Sequence, residues 1–166
     1  MLKSLYRMAA PLFLAAIAAM ALHACATVPM PGEEIFIKTD PSHEVRNGFA
    51  SVYFYRPEQY QGGSVRYLIH DGDKVIGALM SNSAFVYEAT PGRHLFWAEN
   101  EIVSRVVIDC EADTEYFIEG DTTVGKMMGN PELSRMWPNT AKKRIKSIPF
   151  YTFDWNAKPK NNDPMR

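Results

Sequence analysis

The side chains of this chain best able to do chemistry are a scatter of histidines, acids, lysines and one internal thiol. His70 stands with Asp71 and Asp73, and His94 follows in a later strand-like run; together they would offer mixed nitrogen and oxygen ligands to a metal ion. The spacing argues against such a site. The chain has no H-E-x-x-H and no paired Cys/His repeat, and Asp71-Gly72-Asp73 is accounted for by the tight turn it makes. His94 beside Phe96 needs only one ordinary hydrogen bond. Cys110 shares strand parity with Val106 and Ile108, which predicts a buried thiol behaving as a small hydrophobe. A nucleophilic thiolate wants a basic neighbour, and Asp109 and Glu111 would oppose it.

Gly120-Asp-Thr-Thr-Val-Gly125-Lys126 fits the spacing of a phosphate-binding loop after a strand. That loop also needs Ser or Thr next, to hold Mg²⁺, and a helix whose N-terminus faces the phosphates. Met127 cannot ligate the metal, and Gly129-Asn130-Pro131 would stop a helix after about one turn. Tyr53 and Tyr55 lie on one face of a strand with Ser51. They are either a stacking platform or core residues, the latter including the case in which residues 131–155 cover them. The strongest polar feature is the candidate binding patch Lys142, Lys143, Arg144 and Lys146. It is either a solvated edge or a contact for lipid head groups or an acidic partner. No catalytic residue, metal or cofactor is expected.

Cys25 closes an export leader. Lys3 and Arg7 are the only charges before Glu33, and Met8 to Leu22 is apolar but short for a bilayer span. The order is that of a secretory signal. Leu22-His23-Ala24-Cys25 resembles the lipobox of bacterial lipoproteins, although His23 stands where a small or hydroxyl residue is commoner. The resemblance implies cleavage between Ala24 and Cys25 and thioether-linked diacylglycerol on Cys25, then a further acyl chain, such as palmitate, on the freed amine. Two or three chains give lasting anchorage where one does not. Ala26, rather than Asp, after the cysteine implies the outer membrane. Three alternatives stay open: ordinary cleavage after Ala26, retention as a tilted anchor, and a Cys25–Cys110 disulfide.

These residues need elements to position them. The length, 166 residues, predicts one domain, and 46% apolar with 12% aromatic residues suffices for a core. A net charge of −1 argues against a nucleic-acid partner. That total divides unevenly: residues 25–122 carry −9, and residues 123–166 carry +6. Ala26 to Glu34, with Pro29, Pro31 and Gly32, reads as a tether. Strands are predicted at 49–55, 67–70, 74–79, 84–88, 93–99, 102–110 and 115–119, with Asp71-Gly72 and Pro91-Gly92 among the turns. The helix formers of 132–146 are interrupted by Pro138, which suggests a turn or two of helix before an extended piece at 148–155. The expected fold is all-β, an antiparallel sandwich, immunoglobulin-like or similar, of about seven strands. The expected divisions are a signal peptide at 1–24, a lipidated tether at 25–34, a sandwich at 35–125, a partly helical extension packing on it at 126–156, and a tail at 157–166.

Ala50-Ser-Val-Tyr-Phe-Tyr-Arg-Pro57, Tyr67-Leu-Ile-His-Asp-Gly-Asp-Lys-Val-Ile-Gly-Ala-Leu79, Phe85-Val-Tyr-Glu-Ala-Thr-Pro-Gly-Arg-His94 and Glu115-Tyr-Phe-Ile118 together resemble domain-of-unknown-function family 2846. Its members are small bacterial envelope proteins, often lipoproteins, with a β-sandwich. The resemblance implies a fold and a compartment but no catalytic residues. The expected role is a lipid-anchored, periplasm-facing module that binds an envelope protein or glycan or contributes structure. The alternative is an envelope hydrolase acting on cell-wall material, assembled from residues far apart in sequence.

Overall fold

The computed structural model describes residues 35–40 and 46–157. The leader with Ala24, Cys25, the tether up to Glu34 and the tail from 158 onward lie outside them.

Among the described residues the chain forms ten strands and one helix: β1 (Phe36–Thr39), β2 (Ala50–Arg56), β3 (Tyr67–Asp71), β4 (Lys74–Leu79), β5 (Ser83–Ala89), β6 (Gly92–Glu99), β7 (Val103–Cys110), β8 (Glu115–Thr123), β9 (Asn130–Met136), α1 (Pro138–Ile145) and β10 (Phe150–Phe153). They build a sandwich of two sheets, one of six strands in the order β1-β10-β5-β2-β8-β9 and one of four in the order β4-β3-β6-β7. The seven expected strands correspond to β2 through β8. Two pairings, β2 with β8 and β10 with β5, run parallel within an otherwise antiparallel fold.

β2 is buried on both faces because it sits in the middle of the larger sheet between β5 and β8. Its even-numbered residues, Val52 and Phe54, enter the space between the sheets with Tyr67, Ile69, Leu79, Phe85, Phe96, Ile108 and Ile118. Phe54 stacks on Phe85 at 4.9 Å and meets Phe96 edge-on at 5.3 Å, two favoured ring geometries. Its odd-numbered residues face outward, where α1 covers them. Tyr55, Phe117, Phe150, Ala141 and Ile148 form a second cluster there, with Tyr53 and Ile145 packed against it.

The stretch 126–156, expected as an extension on the domain, enters the six-stranded sheet with two strands of its own. β9 extends the β8 hairpin, and its Pro131 is tolerated at the sheet edge, where its missing N–H breaks no ladder. Pro138 does not interrupt the helix. It opens it, at a position whose N–H would lack an intrahelical partner anyway. Lys142, Lys143 and Arg144 then fall in the last turn, where cations suit the helix dipole. No helix among the described residues is long and apolar enough to cross a membrane.

The β3–β4 hairpin turns as its sequence requires, with Gly72 at φ 55° between the paired Asp71 and Lys74. Registers place the loops 57–66, 79–83, 99–103 and 123–130 together at one end of the sandwich, beyond Arg56. The loops 46–49, 71–74, 89–92 and 110–115 lie at the other end.

Candidate functional site

The basic patch is divided by the fold. Residues Glu115, Phe117 and Glu119 alternate onto the outer face of β8, beneath α1. Lys142 donates to Glu115, and Arg144 reaches both carboxylate oxygens of Glu119 at 2.6 Å. Lys143 and Lys146 stay exposed. Tyr53 stacks on Phe117 at 4.9 Å and an interplanar angle of 12°, and the Lys142 ammonium lies over the Phe117 ring. Burial first, and the adjacent Glu115 carboxylate second, raise the Tyr53 pKa. The same two causes, with Glu119 as the carboxylate, act on Tyr55, while Arg144 opposes them. Both phenols therefore stay neutral. Tyr55 is a core residue. Tyr53 instead lines a groove of about 340 Å³ beside α1, with Phe117, Ile145, Ile148 and Phe150 as its apolar wall and Lys142, Lys146 and Glu115 at its rim. Such a groove can hold an apolar body with an anionic end. Among the described residues its lining carboxylate, Glu115, is spent on Lys142 and faces no second carboxylate across the groove, as an acid–base pair would require.

The histidines separate. His94 crosses to Asp71, its Nδ1 lying 2.7 Å from Oδ2, and its Nε2 donates to the Thr90 carbonyl at 2.8 Å. Tyr87 donates to the same Asp71 oxygen at 3.1 Å. Burial, then Asp71, pushes the Tyr87 pKa up to about 12. His70 lies against Trp97 instead, ring on ring at 3.9 Å. Burial lowers its pKa, with Glu99 opposing. Among the described residues no three His, Cys, Asp or Glu gather into a ligand set. Cys110 is 4% exposed, and its pKa is pushed up to about 11 by burial first and Asp71 next. The thiol stays protonated and unreactive.

The Gly120–Lys126 stretch is not a phosphate loop. Gly120 lies within β8, and a β-carbon there would overlap the Tyr67 hydroxyl and Leu79. The loop beyond it runs into β9, with no helix. Its amides do form an anion-binding turn, but the anion is internal: Lys126, Met127 and Met128 donate to Glu101 at 2.8, 2.5 and 2.9 Å. Those bonds, Met128's first, lower the Glu101 pKa. A carboxylate held this way tightens the loop above the ordinary glutamate range and lets go as pH falls through its lowered value.

One residue of consequence escaped the sequence reading. Arg56 is wholly buried, donating to Gln59 Oε1 at 3.1 and 3.0 Å, to Val65 O at 2.7 Å and to Gly62 O at 2.7 Å. It holds the 57–66 loop against the sandwich end, with Gln59 donating in turn to Asp121. An arginine closing a fully apolar strand just before Pro57 was the signal, and nothing local distinguishes it from a solvated strand end.

No family model matches the chain, and no solved structure matches it. Among curated proteins it is similar to an uncharacterized protein of Haemophilus influenzae strain Rd, 28% identical over 131 residues, which cover 78% of this chain and 77% of the relative.

Proposed function

We propose that the protein is a lipid-anchored envelope lipoprotein of the family resembled above, with the sandwich facing the periplasm from the outer membrane and working by binding or by contributing structure rather than by catalysis. Leu22-His23-Ala24-Cys25 behind a short, positively led apolar run carries this reading. The sandwich supports its second half. Six groups with catalytic potential, Asp71, His94, Glu101, Cys110, Glu115 and Glu119, are spent on internal bonds or buried. The groove beside α1, rimmed by Lys142 and Lys146, is the surface offered to an anionic, partly apolar partner.

The test is intact mass with fatty-acid labelling of the wild type and Cys25→Ser. The expected wild-type product begins at Cys25, carries two or three acyl chains and incorporates label; the variant incorporates none. A wild-type product beginning at Thr27 without lipid sinks the anchor.

A further inference from the structure

The end of the sandwich beyond Arg56 exposes apolar side chains on three separate loops. Tyr60, Val124 and Met127 are 102%, 93% and 95% exposed, and Ile102 and Met128 are 64% and 48% exposed. The loops carrying them are tied together. Glu101 bonds the amides of 126–128, Asn100 donates to Gly129 O at 2.6 Å, and the buried Asn130 side chain accepts from the amides of Glu101 and Ile102 at 3.0 Å each. Gly62 packs against Thr122, and Gln59 against Asp121. The bonded polar groups of these loops thus tie the loops to one another, while the apolar side chains turn outward among the exposed Glu58, Gln61, Glu99, Asp121 and Lys126. An ordinary loop surface tucks its apolar groups in, and this one leaves five of them out.

We propose that this end dips into the interfacial layer of a phospholipid bilayer, with Met127, Val124, Ile102, Met128 and Tyr60 as the inserted groups. Two features favour lipid over a protein partner. The apolar groups project singly from three loops, and such prongs enter a deformable medium without a fitted pocket, whereas a protein would have to match each of them. Inserted backbone must also have its polar groups satisfied from within, and the Glu101 and Asn130 bonds do this for the amides of 101, 102 and 126–128, which carry three of the inserted side chains.

The reach of the chain agrees. β1 climbs toward this same end, Thr39 lying level with Phe150 and Ala84. Phe36 is therefore about 10 Å below Thr39, at roughly 3.3 Å per residue. Residues 26–34 at full extension span roughly 30 Å, enough to let the tip meet the bilayer that holds Cys25. The inference rests on the anchored reading only for this proximity, which raises the local lipid concentration and lets a weak insertion be populated.

The experiment uses the processed protein in vesicles of phosphatidylethanolamine and phosphatidylglycerol, spin-labelled at Met127→Cys or Val124→Cys, with Arg93→Cys at the opposite end of β6 as control. Collision with dissolved oxygen against a water-soluble nickel complex reports depth. Expected is at least about a tenfold fall in nickel accessibility at 127 and 124 relative to 93. Introducing Glu101→Ala, which unties the loop, should reduce that fall. Equal accessibility at all three positions overturns the proposal. So does protection of 127 and 124 that appears only in protein-containing envelope fragments, since it means a protein partner. Intact mass of the same sample reads the anchor separately. If Cys25 carries no lipid, the labels are read on the Cys25→Ser protein with added vesicles, where immersion supports the tip and water exposure overturns it.

Discussion

Gly120 shows what one hydrogen atom in place of a methyl group can hold together. Its position in β8 is pressed by the Tyr67 hydroxyl, which donates to Asp121 O at 3.1 Å, and by Leu79. Both neighbours are fully buried and have nowhere to retreat. Gly120→Ala should cost about 1–3 kcal/mol, the usual penalty for overfilling a packed core. Denaturant unfolding will read it, and adding Tyr67→Phe should restore part of the loss by removing the clashing oxygen. The motif reading of this glycine fails for a physical reason: a phosphate loop and a strand under a tyrosine ask for the same residue.

His70 makes a second residue-scale prediction. Burial against Trp97 lowers its pKa, so the folded state favours the neutral ring. The unfolded chain then binds more protons in the acid range, and stability falls as pH drops from the ordinary imidazole value of 6.5 toward the lowered one. Thermal unfolding followed from about pH 7.5 to about pH 5.5 should show a decline that His70→Phe, which keeps a ring on Trp97, makes shallower.

At the scale of elements, α1 is the piece on which the outer face depends. Ala141 is its fully buried residue, set against the face of β2 and β8 that carries Tyr55 and Phe117. Ala141→Asp puts an unpaired carboxylate into that seam and should cost about 3–5 kcal/mol. Arg144→Ala breaks a solvent-screened pair with Glu119 and should cost only about 0–1 kcal/mol. Comparing the two by chemical denaturation separates packing from charge as the helix's attachment.

The same elements show what was legible in the sequence. β2 to β8 were readable because each pairs a run of β-formers with turn chemistry that must have it, as at Gly72 and Gly92, both at positive φ. β9 was not readable. Asn130-Pro-Glu-Leu-Ser-Arg-Met136 holds a proline and helix formers, and it becomes a strand only because β8 runs on to Thr123 and offers an edge. β1 is short and is a strand by virtue of its neighbour, whereas β10 falls within the extended piece expected at 148–155. Of the candidate site, the basic residues were visible, but the glutamates that claim Lys142 and Arg144 are more than twenty positions away.

For the whole molecule, the uneven charge resolves partly within the fold. The acidic 25–122 segment and the basic 123–166 segment meet where Glu115 and Glu119 face α1, so part of the opposite-sign surface is internal complementarity. The remainder sorts the surface into a lysine-rimmed groove beside α1 and an apolar end beyond Arg56. Under the anchored reading proposed above both surfaces have a use, since the second contact sets which way the first one faces.

The pairing of β1 has a further consequence, for the time course of folding. Among the described residues β1 bonds to the sheet only through β10, and β10 is the last strand. The parallel pairing of β2 with β8 likewise joins segments more than sixty residues apart. Contacts of such long range make folding slow, because the loop entropy must be spent before the contact forms. The first described strand therefore has no partner until the last one arrives. On a chain made from its N-terminus onward that edge stays open throughout synthesis, and it can close only when residue 153 has emerged.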